Sequence, residues 1–378
     1  MPSSDFSTIV QNLLLDIGYR YEPCPPYDPE YWGPFHHWML HTLGPVSTWN
    51  IKQLTELEHS SGGIIERSYP YTSIPFKLLF AKLTAIAILI DDSLEDDRVN
   101  AEIVRFSHRI YLGEKQPDGM LELYHANMKE LSDMYGDDTV LRGLALVPWI
   151  NYIDACLIEK QIVVAMVGFW VYGPRWMQTL GLWTDLLSNC AFNRSHVFGG
   201  LIPRSPHYLR SKSGLAEAFA AGIFKVTKDQ QIPISKYIRV LPDLTFFIVI
   251  MNDILSFHKE QMDEETYNLI HLRTRALSST GVQGTGVSGC WTAFDTLDLL
   301  CREIREATRR IDGLLRLEDC ERRMSGEDVQ GVDDVDLEIA RQWRGWRHGY
   351  VSWHLECRRY KLGFLKELVC GEEDVQVI

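Results

Sequence analysis

The sequence has no C-x-x-C pair and none of the cysteine and histidine spacings that build a zinc site, although it carries eight cysteines, from Cys24 to Cys370. Such scattered thiols fit a reducing compartment, so the expected location is the cytoplasm. The first residues lack a basic segment followed by an apolar stretch, and the longest apolar runs, such as residues 246–251, are too short to cross a bilayer. No leader and no membrane span are therefore expected. The charge of -13 contains no basic run that could track a phosphate backbone, which excludes nucleic acid as a partner. Regular alternation of strands and helices is missing, which disfavours a doubly wound sheet. The glycine-rich residues 281–289 have no preceding strand and no Lys-Ser/Thr, so they are not a nucleotide-binding loop.

What is present is helical. Apolar residues, 46% of the chain, recur at three- and four-residue intervals over long windows. Residues 78–94, 141–167, 243–262, 293–317 and 336–368 are the clearest helices. Proline and glycine mark loops at 23–34, 199–206 and 278–289, and residues 324–336 read as a solvated acidic loop. The expected fold is all-α, a single domain over 1–378. Its first seventy residues form a helical segment, and 78–365 form a core of about ten helices around an apolar cavity with a polar mouth.

Two constellations carry chemistry. Asp91, Asp92, Glu95, Asp96 and Asp97 stand at the end of a long apolar helix. Asp91 and Glu95 lie one turn apart, about 6 Å along the axis, and hard carboxylate oxygens so placed suit Mg²⁺. At a helix C-terminus they also oppose the macrodipole, a cost that a bound cation removes. A solvated acidic helix end is the bland alternative. Asn252, Ser256 and Glu260 fall at i, i+4 and i+8 behind the apolar residues 244–250, with Lys259 beside them to meet a phosphate oxygen. Polar atoms that emerge from a buried helix usually have partners, which weighs against an ordinary surface stripe.

Weaker signals follow. Arg358, Arg359 and Tyr360 end the late helix, and a guanidinium fork grips phosphate in two places. Arg210 precedes Gly214, a residue able to break a helix. His36, His37 and His41 have helical ligand spacing but no following glutamate base, so packing or surface is the reading. Asp333, Asp334 and Asp336 sit in an acidic glycine-containing loop and are read as solvated.

Taken in order, these residues resemble the trichodiene-synthase-type branch of fungal class I terpene cyclases. Asp91, Asp92 and Glu95 match D-D-x-x-[DE]; Asn252, Asp253, Ser256 and Glu260 match [ND]-D-x-x-S-x-x-x-E; residues 351–360 match the branch's late Arg-Tyr segment. The resemblance spans residues 78–360. It implies Mg²⁺-dependent ionisation of a prenyl diphosphate, farnesyl diphosphate above all, and cyclisation of the cation to a sesquiterpene hydrocarbon or alcohol. Three Mg²⁺ ions are implied, held by Asp91, Glu95, Asn252, Ser256 and Glu260. Arg210, Lys259, Arg359 and Tyr360 are implied to bind diphosphate, Asp92 to orient Arg359, and Ser213 and Gly214 to form the helix-break linker. Arg204 rivals Arg210 as the diphosphate sensor. Trp353, Phe76, Phe80 and Phe247 are the expected cavity walls, whose aromatic faces stabilise a cation. A homodimer is left open.

Two rivals remain. A chain-elongating prenyltransferase is expected to carry aspartate-rich motifs in both metal positions, and a catalytically silent isoprenoid-binding helical protein would tolerate loss of the ligands. A protonation-initiated cyclase needs D-x-D-D, which the chain lacks.

Overall fold

Local signals set the helix starts. Asn50 and Gln53 form a reciprocal capping box at the start of α3 (Ile51–Ser68), and Thr292 with Asp295 does the same at α12 (Ala293–Leu314). Asp333 and Asp336, expected to be solvated loop residues, are the capping box of α14 (Asp334–Glu356), and Lys236 bridges both carboxylates at 2.7 and 3.0 Å. The acidic loop of 324–336 is accordingly shorter than its composition suggests. Loss of one such cap costs about 1 kcal/mol.

The computed structural model describes residues 4–93, 101–172, 205–265, 268–279, 284 and 290–370. The other longer helices among the described residues are α1 (Ser4–Asp16), α2 (Pro29–Trp38), α4 (Ile74–Asp92), α5 (Phe106–Leu112), α6 (Gly119–Met134), α7 (Thr139–Tyr172), α8 (Ser205–Ser213), α9 (Ala216–Ile223), α10 (Leu241–Met262), α11 (Leu269–Ser279) and α13 (Leu317–Met324), beside the short Ile234–Tyr237 and Phe364–Leu368. Among the described residues β-pairing is confined to two isolated bridges, Tyr21 with Cys370 and Lys225 with Gln231. The fold is all-α. Its described cysteines are free thiols.

Apolar pattern decides depth. α4 is apolar on nearly every side and is buried accordingly, with Phe76, Phe80, Leu83, Ile86 and Ile90 inaccessible to solvent. α12 instead buries one stripe, Leu297, Leu300, Cys301, Ile304 and Ile311, and turns its charges outward. α3 packs on α4 and on α14, while α9 packs on both α7 and α10, so α4 and α10 run as central helices of one connected bundle. The segments 139–158 and 234–262 are long and apolar enough to cross a bilayer by length and composition, against the sequence expectation. Of the most apolar stretch of each, 44% in the first and 67% in the second is buried inside the protein, and the second contains the central helix α10.

One helix boundary departs from expectation. The periodicity of 336–368 predicts a continuous helix, but α14 stops at Glu356, Cys357 is extended (φ -69°, ψ 119°), and a 3₁₀ turn Arg358–Tyr360 follows. The chain then turns at Lys361 (φ 58°) into a short helix, Phe364–Leu368. Tyr360 and Leu362 are buried, so tertiary contacts hold an apolar period while the backbone leaves the helix.

Candidate active site

Two buried helices surface at one cavity. α4 carries Ile90, fully buried, into Asp91 and Asp92, both exposed. α10 carries Leu244, Phe247, Ile248 and Met251 through the core and ends in Asn252, Asp253, Ser256, Lys259 and Glu260. A cavity of about 650 Å³ is lined by Asp91 and Asp92, by Asn252, Asp253, Lys259 and Glu260, and by Arg210, Ser213, Gly214 and Arg359. Carboxylates and cations far apart in sequence therefore meet at one site. Its apolar wall includes Ile64, Ala87, Ile88, Phe219, Ile248 and Val249.

A break in the chain presents Arg210. α8 ends at Ser213, the amide of Gly214 donates to the Arg210 carbonyl at 2.9 Å, and Leu215 takes the left-handed conformation (φ 51°) before α9 begins. A Cβ on Gly214 would stand 2.6 Å from Val249 Cγ2, so glycine is what allows the break to lie against α10. The Arg210 guanidinium donates from Nε to Asp253 Oδ1 (2.9 Å) and from Nη2 to Asn252 Oδ1 (2.8 Å). Asp253 holds the Arg210 guanidinium, a part that the motif alone did not assign.

Asn252 is bound on its other side as well. Its Nδ2 lies 3.1 Å from His354 Nε2 and donates to the Tyr360 hydroxyl at 3.2 Å. His354 Nδ1 lies 2.7 Å from the Tyr350 carbonyl. Full burial lowers the His354 imidazole to about 3, so it is neutral. Burial also pushes the Tyr360 hydroxyl up to about 12.

The carboxylates are poised by desolvation. Burial raises Glu260 to about 7, partly offset by the Ser256 hydroxyl, and Glu260 Oε2 is a buried oxygen with no hydrogen-bond partner in the structure. Asp92 reaches solvent, but the protein packed around the rest of its carboxyl still raises it, against the pull of Arg359 and Lys259, which places those two cations within electrostatic reach of it. Asp91 Oδ1 faces Cys156 Sγ at 3.8 Å.

The donor set fits Mg²⁺. Among the described residues no three His, Cys, Asp or Glu side chains stand close enough to hold an ion by themselves. A hard cation held through one or two carboxylates, completed by amide or hydroxyl oxygen, water and substrate phosphate, needs no such cage. The unpartnered Glu260 oxygen is the donor that such an ion would satisfy. Glu95, like Arg204, lies outside the described residues.

Not every expected residue reaches the cavity. Ser256 is buried and donates to the Asp253 carbonyl at 3.3 Å, and Tyr360 touches the site through Asn252. Trp353, Phe76, Phe80 and Phe247 do not line it. Phe76 stacks on Phe80 at 4.6 Å, Phe80 meets Trp149, Phe247 packs on Trp343, and Trp353 lies against Tyr360. They sit behind the wall as core, because large aromatics repay full burial. Among the described residues the aromatic side chains that line the cavity are Phe219, Tyr152 and Tyr350. Tyr152 donates its hydroxyl to the Ala87 carbonyl and Tyr350 to the Ile248 carbonyl, both at 2.9 Å, which fixes the two rings in place.

No protein-family profile matches the chain. It is 28% identical over 294 residues to terpene synthase BipA of Cochliobolus sativus, covering 78% of this chain and 71% of that relative. It is 23% identical over 367 residues to an (E)-beta farnesene synthase of Metarhizium brunneum, covering 95% and 89%. Longiborneol synthase of Gibberella zeae is 25% identical over 293 residues, covering 78% and 68%. Among solved structures, the linalool/nerolidol synthase of Streptomyces clavuligerus in complex with 2-fluorogeranyl diphosphate superposes with a TM-score of 0.57 at 13% identity, covering 87% of this chain and 100% of that one. At that identity the likeness is one of fold.

Proposed function

We propose that this chain, a homologue of fungal terpene synthases with the class I terpene synthase fold, is a Mg²⁺-dependent sesquiterpene cyclase that ionises farnesyl diphosphate. The observation that carries the reading is the shared cavity: the acidic end of α4 and the polar face of α10 line it together with Arg210, Lys259 and Arg359. The reading takes the chain as one catalytic domain acting in the cytoplasm.

Asp91, Asn252 and Glu260, which line the cavity, would hold the ions, with Glu95 as a further proposed ligand and Ser256 joining them once its hydroxyl turns from the Asp253 carbonyl to the cation. Bound Mg²⁺ supplies charge neutralisation of the diphosphate, which makes it a good leaving group; three ions are proposed. Arg210, Lys259 and Arg359, which line the cavity, would bind the departing anion and stabilise the charge that develops as the allylic carbon-oxygen bond breaks, and Tyr360, which meets the site through Asn252, is proposed to join them. The bonding electrons leave with diphosphate, and the hydrocarbon is left as an allylic cation. Asp92, beside Arg359 and Lys259, keeps those cations at the mouth. Arg210 has to exchange Asn252 and Asp253 for diphosphate oxygens as substrate enters. Behind them the apolar wall, with the rings of Phe219, Tyr152 and Tyr350, would shield the cation until a proton is lost or water is admitted.

The test is incubation of purified protein with Mg²⁺ and farnesyl diphosphate, followed by gas chromatography with mass spectrometry. A cyclic C15 hydrocarbon or alcohol is expected. Absence of any hydrocarbon or alcohol from C10 to C20 diphosphates would remove the synthase reading, and an acyclic product alone would remove cyclisation. An elongated diphosphate would mark the prenyltransferase rival, which the Asn252, Ser256 and Glu260 set disfavours.

A further inference from the structure

The reading of Asn252 as a ligand leaves open how a side-chain amide, whose two ends are nearly the same size, keeps its oxygen toward the cavity. Its surroundings answer this. The Tyr350 carbonyl, 2.7 Å from His354 Nδ1, can only accept, so Nδ1 carries the imidazole proton. Nε2 is then a bare acceptor, and at 3.1 Å it takes one N–H of Asn252. The second N–H goes to the Tyr360 hydroxyl at 3.2 Å. Both amide protons are committed on one side, and Oδ1 is left to face Arg210 at 2.8 Å.

We infer that His354 is a positioning residue: with its tautomer fixed by the Tyr350 carbonyl, it orients the Asn252 amide so that oxygen, and not nitrogen, faces the ligand cavity. A reversed amide would set Oδ1 against the Nε2 lone pair and the NH₂ against the Arg210 cation, two repulsive contacts. The imidazole cannot turn to accommodate it. His354 is fully buried between the rings of Tyr350, Trp353 and Tyr360, at 4.6, 4.6 and 4.5 Å. Orientation of a ligand by a hydrogen-bonded neighbour is a general device of metal sites, and removing such a neighbour typically costs 10- to 100-fold in metal affinity.

This inference rests on the proposed Mg²⁺ diphosphate site, so its test reads binding and tautomer as well as turnover. Calorimetric titration of the intact protein with Mg²⁺ at fixed inorganic pyrophosphate should give a half-saturation roughly 10-fold higher in His354→Leu. His354→Gln, which can still accept the Asn252 N–H, should recover part of the loss. In an Asn252→Ala background His354→Leu should add nothing. Nitrogen-15 spectroscopy of the histidine-labelled unsubstituted protein, with the His354 signals identified by their loss in His354→Gln, should show Nδ1 protonated and Nε2 bare. A His354→Leu variant that melts lower but binds Mg²⁺ with the parental half-saturation would reduce His354 to packing and overturn the inference. A protonated Nε2 would overturn it even if His354→Leu fails to fold. Failure of the parent protein to bind magnesium pyrophosphate would instead overturn the functional reading.

Discussion

Glu260 shows how position sets the chemistry of a single side chain. Burial lifts its carboxyl from 4.5 to about 7, so a proton must leave before its oxygens can take a cation. Half-saturating Mg²⁺ is therefore expected to fall as pH rises from about 6 to about 8, in titrations at fixed pyrophosphate; a flat profile would remove Glu260 from the ligand set. The same shift has a stability sign. Native Glu260 keeps its proton at pH values where the unfolded chain has lost it, so its contribution is full below 4.5 and is lost as pH rises through about 7 in the absence of a cation. Asn252→Ala and Glu260→Ala should each lower turnover by roughly 10²-fold or more with an unchanged far-ultraviolet spectrum. Undiminished turnover in either variant would show that the α10 face is not the working one.

At the scale of elements, glycine decides how closely helices cross. Gly349 on α14 lies where a Cβ would run into the Arg67 carbonyl and the Ser68 amide of α3, backbone that cannot move aside as a side-chain tip can. Gly349→Ala is expected to push the two helices apart and cost about 1–3 kcal/mol, read as a lower denaturation midpoint at unchanged slope. A midpoint equal to the parent's would mean that the crossing is looser than its geometry. The consequence reaches the site, since α14 carries His354 and leads directly into Arg359 and Tyr360. α4, α7 and α10 were legible because long apolar windows with helical period leave few alternatives. The end of α14 was not, because Val351 to Leu362 keep their apolar spacing while Cys357 leaves the helix to seat Tyr360.

For the molecule as a whole, the division between scaffold and chemistry predicts what metal removal does. The core is built of apolar helix faces, including Phe80, Trp149, Phe247 and Trp343, and no ion is needed to bring them together. Chelation of divalent cations should abolish turnover while circular dichroism retains its helical signature. Collapse of helicity on chelation would mean that the cations hold the fold, as they do in small metal-dependent domains.

The sequence by itself determined the all-helical class, the long central helices, the two polar clusters at their ends and the resemblance they carry, because helical period and i, i+4 spacing are local properties of a chain. Tertiary structure alone decided which residues share the cavity. It turned Phe76, Phe80, Phe247 and Trp353 into supporting core, put Phe219, Tyr152 and Tyr350 on the wall, and gave Asp253 and His354 their work on Arg210 and Asn252. An aromatic residue or a histidine at helical spacing looks the same in sequence whether it faces a cavity or a neighbouring helix. The difference arises only when helices some hundred residues apart are packed together and one surface is left without a partner.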